Sequence, residues 1–377
     1  MSTSVPPSSL SPSSSPVSSR EHEALLLEAV RNDDPVRVLE LISTGVNVNA
    51  ALKSDPDDSK CTALQWAACL GHNGVVTVLL ENGANVNDGN SFTDAALNFA
   101  AIAGHDVVLK TLIRHGASLD SRAAIRALHQ AAQYGRDTAV QVLVEGDGVD
   151  INGVNRRGMT ALHCAACNRH ATVVTTLLAR NANVEIQNKK EETPLHIASA
   201  QPEGTEGIVR ALLEHGASVD AQSRDHETAL LLAASVNNHG VVEVLLEYGA
   251  NAKGANKLGE TALIRASRTG STKVVDLLLR HPGTNVNLGT NLGDTALMLA
   301  AQYGREDILQ MLLAHGASVY LKNKKGHTAL QIVCLMDRQA IIYTLLHHHA
   351  GRLNHYSDFP ADILGFGDAV ATKRRRE

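Results

Sequence analysis

The residues that could carry chemistry include a pair of cysteines with histidines beside them. Cys164 and Cys167 form a Cys-x-x-Cys motif, with His163 and His170 nearby. Such a motif is typical of half a zinc site or of a redox-active dithiol. The chain has only five cysteines, however, and no second cysteine pair that could complete a tetrahedral site. We therefore expect neither zinc binding nor redox activity, and the sparse cysteines favour a reduced, intracellular protein.

Histidine is abundant, with 18 in the chain, but its positions indicate structural roles. His163 and His196 each follow a Thr-x-Leu sequence, where a ring nitrogen can bind neighbouring backbone. Another group directly precedes a glycine, where a partly charged ring suits the negative end of a helix. This group comprises His115, His215 and His315. The run of histidines at 347–349 lacks the spread of ligands that a tetrahedral metal site needs, so we predict no metal site.

Catalytic motifs are missing from the sequence. It has no glycine-rich phosphate loop and no Gly-x-Ser-x-Gly motif, and its acidic residues are scattered rather than paired. The net charge of −5, from 34 Lys and Arg against 39 Asp and Glu, gives no global attraction to nucleic acid or to an anionic membrane. No apolar run approaches the ~20 residues that cross a bilayer. We therefore expect no enzyme activity, cofactor, small-molecule substrate, nucleic acid partner or membrane insertion.

The elements that must position any functional residue repeat along the chain. A Thr-Ala/Pro-Leu motif recurs every 31–35 residues, with Ala95 and Arg126 in the slot where threonine is missing. The threonines are Thr62, Thr160, Thr193, Thr228, Thr261, Thr295 and Thr328. A Leu-Leu-x-x-Gly-Ala motif comes later in most units, as at 79–84 and 312–317. A period of this length indicates an array of stacked supersecondary units.

Each unit is typical of a helix, a turn, a second helix and a loop. Thr160 can cap the first helix of its unit, and Leu162 and Ala165 lie on one face of that helix. The valines and leucines at 173–178 form the apolar face of the second helix. A glycine such as Gly216 ends the second helix in most units, because glycine adopts the left-handed conformation readily. One unit cannot bury its apolar face alone, so the units must stack.

These motifs resemble the ankyrin repeat family. The resemblance rests on Thr-Pro-Leu-His-Ile-Ala at 193–198, on Gly-Ala-Ser-Val-Asp at 216–220 and on the period of about 33 residues, and it covers residues 22–351 with about ten repeats. It implies an all-α solenoid of stacked helix-turn-helix units, with β-turn loops called fingertips between them. It also implies that a partner protein binds the concave side, which is formed by the fingertips and the first helices.

Several segments depart from the repeat pattern. About five extra residues within 51–58 enlarge the loop before Thr62, and residues 121–127 are two short, which predicts a tighter fingertip. Glu203-Gly204-Thr205-Glu206 lengthens a turn. In the last repeat His349 replaces the usual glycine, and Leu335 and Met336 occupy first-helix positions where polar residues are expected. The last repeat is therefore interpreted as a divergent C-terminal cap.

The chain divides, on this interpretation, into a Ser/Pro-rich disordered tail at 1–20, a repeat array at 21–351 and a C-terminal tail at 352–377. The C-terminal tail has apolar side chains that either pack on the last repeat or form a short linear motif for a partner. It ends in a basic cluster, Lys373, Arg374, Arg375 and Arg376. We expect a cytoplasmic protein, and the cluster is either a nuclear-import signal or simply a solvated end.

The fingertips carry a basic line of side chains that stacking places about 10 Å apart. The basic line consists of Arg156, Arg157, Lys189, Lys190, Arg224, Lys257, Lys324 and Lys325. An acidic line follows one or two positions later and consists of Glu192, Glu227, Glu260 and Asp294. Either the two lines neutralise one another through weak surface pairs, or they form a striped surface that orients a partner of complementary charge.

Only 11 of the 377 residues are aromatic, and those near the predicted binding face are candidate interface anchors. Trp66 lies in a first helix, Phe92 at a fingertip, and Tyr134 and Tyr303 near the ends of first helices. Leu70, Phe92, Ile102 and Tyr134 could together form an N-terminal apolar patch. The alternative is that these side chains pack between repeats.

The sequence as a whole predicts a non-enzymatic, monomeric scaffold or adaptor that binds one or more proteins. The main alternative is a regulatory or substrate-recognition subunit whose tails recruit an enzyme, such as a ubiquitin ligase. The C-terminal tail shows no recognisable ligase-recruiting motif, which counts against this alternative.

Overall fold

The computed structural model describes residues 19–53, 60–88, 95–119, 122–145, 148–334, 336 and 338–350. The predictions made for Phe92, Leu335, the segment 1–18 and the tail 352–377 with its basic cluster lie outside the described residues. The chain forms two compact units, Met1–Ile151 (unit 1) and Asn152–Glu377 (unit 2).

Helices arranged in pairs make up almost all of the described secondary structure. In unit 1 they are α1 (Ser19–Arg31), α2 (Pro35–Ser43), α3 (Ala63–Leu70), α4 (Asn73–Glu81), α5 (Ala96–Ala103), α6 (Asp106–Arg114), α7 (Arg122–Gln133) and α8 (Asp137–Glu145). In unit 2 they are α9 (Ala161–Cys167), α10 (Ala171–Ala179), α11 (Pro194–Ser199), α12 (Glu206–Glu214), α13 (Ala229–Ser235), α14 (His239–Glu247), α15 (Ala262–Thr269), α16 (Thr272–Arg280), α17 (Ala296–Tyr303), α18 (Glu306–Ala314), α19 (Ala329–Cys334) and α20 (Gln339–Ala350).

The recurring threonine begins the first helix of a pair, as the sequence predicts. Thr261 Oγ1 accepts a hydrogen bond from Ile264 N–H at 3.3 Å, and Thr295 caps α17 in the same way. At Thr62 and Thr160 the residue three positions later also binds back to the threonine backbone, which completes a capping box. The first helices therefore begin where the sequence places them.

Helix pairs stack in register within each unit. In unit 1 the first helices α1, α3, α5 and α7 form one layer, and the second helices α2, α4, α6 and α8 form the other. In unit 2 the layers are α9, α11, α13, α15, α17 and α19 against α10, α12, α14, α16, α18 and α20. Leucine, valine and alanine fill the space between the layers, and Leu162, Ala165, Val173 and Leu177 are all buried. Each unit is thus a helical solenoid, in agreement with the predicted fold class.

The structure differs from the sequence-based predictions, or adds to them, at four places. The enlarged loop before Thr62 is bounded by a short antiparallel pair, β1 (Ala51–Lys53) and β2 (Lys60–Thr62). Arg126 does not begin a helix, because α7 already starts at Arg122 and the shortened fingertip is replaced by an extra helical turn. Met336 lies beyond α19 rather than in it. The α1 helix begins at Ser19, two residues before the predicted boundary.

The α20 helix continues to Ala350, which agrees with the absence of a glycine at 349. Within the described ranges, no helix has the length and apolar character needed to span a membrane.

Candidate functional site

Unit 2 presents six fingertip loops with the same local design. A side-chain oxygen on the first residue of each loop accepts backbone hydrogen bonds from within the loop, which closes the turn. In one loop, Asn256 Oδ1 accepts from the backbone N–H groups of Leu258 and Glu260, each at 3.0 Å. The six first residues are Asn155, Asn188, Ser223, Asn256, Thr290 and Asn323. Since the turn is closed locally, the second and third residues of every loop are exposed.

A ladder of backbone hydrogen bonds joins these six loops. The N–H of the second residue of each loop donates to the carbonyl of the third residue of the loop before it. The pairs are Lys189 to Arg157 (3.1 Å), Arg224 to Lys190 (3.0 Å), Lys257 to Asp225 (3.1 Å), Asn291 to Leu258 (2.9 Å) and Lys324 to Leu292 (2.8 Å). The ladder places the second and third residues of the six loops in one continuous line, which we call the fingertip row.

The fingertip row contains the whole predicted basic line. Two of its members form ion pairs, Arg224 with Glu191 at 3.3 Å and Lys257 with Asp225 at 3.8 Å. These exposed pairs contribute about 0–1 kcal/mol each. Within the part of the chain that the structure describes, the other six basic side chains form no ion pair. Their positive charge is therefore available to a partner.

The predicted acidic line is not a stripe on the surface. Its carboxylates turn back into the loops, because amide groups of the loops bind them. Asn188 Nδ2 donates to Glu192 Oε2 at 2.8 Å, and Asn323 Nδ2 donates to Asp294 Oδ1 at 2.7 Å. The prediction of paired basic and acidic lines is therefore wrong on this point, and the fingertip row has a net positive charge.

Two members of the acidic line belong to a half-buried network with two arginines of α15. Arg265 donates to Glu227 Oε1 at 2.6 Å and to Glu260 Oε2 at 3.0 Å, and Arg268 also binds Glu260. Burial opposes the charged form of Glu260, but the hydrogen bonds from Arg268 and Arg265 hold the pKa of this carboxyl below its ordinary value. Through Glu227 and Glu260, the network joins two neighbouring fingertips to helix α15.

The predicted apolar patch of unit 1 lies at the ends of successive first helices. Leu70 ends α3, Ile102 lies near the end of α5, and Tyr134 follows α7. Leu70 and Tyr134 are exposed and Ile102 is half-buried. Trp66 is half-buried, with the Arg31 guanidinium 5.4 Å from its ring centroid. In unit 2, Tyr303 is exposed at the end of α17. The role of these residues in partner binding stays a prediction.

The cysteine and histidine side chains that could take part in catalysis or metal binding have structural roles instead. Burial, and to a lesser extent the neighbouring Cys167, raise the pKa of the Cys164 thiol to about 12, so this thiol is protonated at neutral pH. His196 Nδ1 accepts from Thr193 N–H at 3.2 Å, and its Nε2 donates to the Glu227 carbonyl at 2.9 Å. Among the described residues, no three His, Cys, Asp or Glu side chains are grouped so as to hold a metal ion.

Two exposed leucines in the fingertip row were not predicted as site residues. Leu258 and Leu292 are each 63% exposed. Aligning the six loops shows the signal that could have found them, because the same third position is Arg157, Lys190, Asp225 or Lys325 elsewhere. An apolar residue at an exposed turn position is not accounted for by burial.

Comparison with known proteins identifies the repeat. A family model for ankyrin repeats (3 copies) matches residues 26–123, 128–223, 195–290 and 280–356. Neurogenic locus notch homolog protein 1 of Xenopus tropicalis is 31% identical over 161 residues, which is 42% of this chain and 6% of that protein. Human ankyrin repeat domain-containing protein 40 is 39% identical over 82 residues, or 22% of each chain. The chain thus spans less than a quarter of the length of these relatives.

A solved structure shows the same architecture. The crystal structure of the ankyrin repeat domain of Bcl-3, a member of the IkappaB protein family, superposes with a TM-score of 0.52 and 30% identity. The match covers 58% of this chain and 97% of that domain.

Proposed function

Because the chain belongs to the ankyrin repeat family, whose repeats are protein–protein interaction modules, we propose that it is a non-enzymatic scaffold or adaptor that captures a partner protein. The proposed binding surface is the fingertip row of unit 2, together with the exposed ends of the first helices of the same unit, such as Tyr303. The partner presents negative charge to this row.

The observation that carries this proposal is the separation of charge within the loops. Eight basic residues and one acidic residue, Asp225, lie in the fingertip row, whereas the four carboxylates of the acidic line are bound by loop amides and by Arg265 and Arg268. A chain with a net charge of −5 gains nothing in solubility from a local positive row. Charge complementarity of this kind raises association rates and selects partners.

The backbone ladder makes the surface preformed. Its five hydrogen bonds fix the relative positions of the loops before any partner arrives. A surface that is ordered in the free protein loses little conformational entropy on binding, so more of the contact energy appears as affinity.

The test reverses charge in the fingertip row. Partners are first captured with the full chain, and the association rate of a captured partner is then measured at low salt for the wild type and for Lys189→Glu, Lys190→Glu, Lys324→Glu and Lys325→Glu combined. We expect the association rate to fall by at least about tenfold, because electrostatic steering is lost. A matched control reverses Lys110, Arg114, Lys273 and Arg280, which are exposed on the second helices α6 and α16 and change the net charge equally.

Two outcomes would contradict the proposal. An unchanged association rate in the fingertip variant, or an equal drop in the control, would show that the row does not steer the partner. Loss of every partner on removal of residues 352–377 would place the binding site in the C-terminal tail instead.

A further inference from the structure

Leu258 and Leu292 form a pair of exposed apolar side chains in the fourth and fifth of the six loops of the fingertip row. They occupy the same position of neighbouring loops, and the hydrogen bond from Asn291 N–H to the Leu258 carbonyl, 2.9 Å long, joins those loops. Each leucine is 63% exposed. The next residue of each loop is a glycine with positive φ, Gly259 or Gly293, so the turn and not a core contact holds the leucine in place.

The fold does not require leucine at these two positions. The third position of the other four loops is charged, at Arg157, Lys190, Asp225 and Lys325, and the turn closes in all four. The carbonyls of Arg157, Lys190 and Asp225 also accept a ladder bond from the next loop. The fold does constrain the fourth position, since a Cβ at Gly259 would lie 2.6 Å from Asn291 N. The leucine pair is therefore free to serve an interaction.

The charges around the leucine pair define its ligand. Lys257 precedes Leu258, and Lys324 and Lys325 lie in the loop that follows Leu292. The carboxylates nearest in sequence, Glu260 and Asp294, are bound by Arg265, Arg268 and Asn323. Lys257 has a weak, exposed pair with Asp225 at 3.8 Å, whereas Lys324 and Lys325 form no ion pair among the described residues. Apolar contacts flanked by cations fit a ligand with apolar side chains among acidic ones.

We infer that the leucine pair and Lys257, Lys324 and Lys325 bind an extended acidic segment of the partner protein that carries two apolar side chains three residues apart. The inference rests on the proposed function and specifies the chemistry of its partner. Packed helices of neighbouring repeats lie about 8–10 Å apart. In a polyproline II segment, residues i and i+3 lie on one side and about 9 Å apart, which matches the distance between neighbouring loops.

A protein segment fits the fingertip row better than nucleic acid does. Single-stranded nucleic acid binds through aromatic side chains on which bases stack, together with a positive groove. The second and third residues of the six loops include no aromatic residue, and the two apolar ones are aliphatic. The leucines would desolvate phosphates without offering them a partner.

The test uses two fluorescent acidic peptides of about twelve residues, long enough to cross neighbouring loops. One has two leucines three residues apart, and the other has serines in their place. Anisotropy titrations use the full chain as wild type and as Leu258→Lys with Leu292→Lys. We expect the leucine peptide to bind the wild type at least about tenfold more tightly than the serine peptide. The lysine variant should lose this preference even though it has gained two positive charges.

The controls separate the inference from its alternatives. Val36→Lys with Leu39→Lys makes the same change at exposed apolar residues of unit 1 and should leave the preference intact. Equal binding of the two peptides by the wild type, or unchanged leucine preference in the lysine variant, would overturn the inference. Tighter binding of single-stranded oligothymidylate than of the leucine peptide at physiological salt, where non-specific attraction of polyanions is weakened, would overturn it in favour of nucleic acid. If the inference fails while reversal of the four fingertip lysines still slows partner association, the proposed function stands without it.

Discussion

A buried histidine at the third position of a first helix completes the cap of that helix, and glutamine does the same in other repeats. His196 accepts from Thr193 N–H and donates to the carbonyl of Glu227 in the next repeat. Gln65 accepts from Thr62 N–H at 2.8 Å and donates to the carbonyl of Asp88 at 3.2 Å. The two side chains satisfy the same pair of backbone groups, but only the histidine titrates.

The variant His196→Gln should therefore keep its stability at neutral pH and lose part of its acid sensitivity. Burial lowers the pKa of His196, so the unfolded chain takes up a proton below the ordinary value of 6.5 while the folded chain resists it. The stability from the neutral ring is present above pH 6.5 and is lost as the pH falls below it. We expect the free energy of unfolding to change by less than about 1 kcal/mol at neutral pH.

Denaturant unfolding on both sides of pH 6.5 measures this difference. The variant should lose less unfolding free energy on acidification than the wild type does. His196→Ala serves as the comparison, since it leaves Thr193 N–H and the Glu227 carbonyl unbound and should cost about 1–3 kcal/mol at neutral pH. An identical pH dependence in wild type and His196→Gln would contradict the argument.

At the scale of the elements, the turn between the two helices of a repeat depends on one residue with positive φ. Glycine has this role in most repeats, for example Gly71 after α3, Gly270 after α15 and Gly304 after α17. Between α9 and α10 the residue is Arg169, with φ of 62°. An L-residue with a side chain is strained in this region, by about 1–2 kcal/mol.

Arg169→Gly should consequently raise the free energy of unfolding by about 0.5–1 kcal/mol, since the strain exceeds the entropy that glycine adds to the unfolded chain. The matched control is Arg180→Gly, because Arg180 is also exposed near a helix end but has φ of −103°. Thermal or denaturant unfolding should show stabilisation for the first variant and destabilisation for the second. Destabilisation by both would mean that the Arg169 side chain has contacts worth more than its strain.

The helix boundaries could be predicted from the sequence where a residue type marks them, and the prediction was wrong where no such residue is present. Threonine and glycine mark helix ends because capping and positive φ are properties of single residues. At Arg126 neither signal is present, and the helix starts at Arg122 instead. Periodicity also placed the basic residues at the fingertips. It could not show that Glu260 turns toward Arg265 and Arg268, nor that Leu258 is exposed, because both depend on packing around the turn.

At the scale of the whole molecule, the net charge and the fingertip row predict opposite salt effects. A chain of net charge −5 should repel an acidic partner at long range, so added salt would speed association. The fingertip row attracts the same partner locally. Its loops are about 8–10 Å apart, close to the Debye length of about 10 Å at 0.1 M salt, so at low salt their charges act together.

The association rate of an acidic partner should therefore fall as salt is added, although both proteins are negative overall. Stopped-flow measurements from low salt to above physiological ionic strength test this. Wild type should slow steeply, and the variant with the four fingertip lysines reversed should show a flat or rising rate, because the four new glutamates offset the four basic side chains that remain in the row and the negative net charge then dominates. A rate that rises with salt in the wild type would mean that the negative charge of the whole molecule outweighs the row. In that case the fingertips could not steer the encounter, whatever contacts they make afterwards.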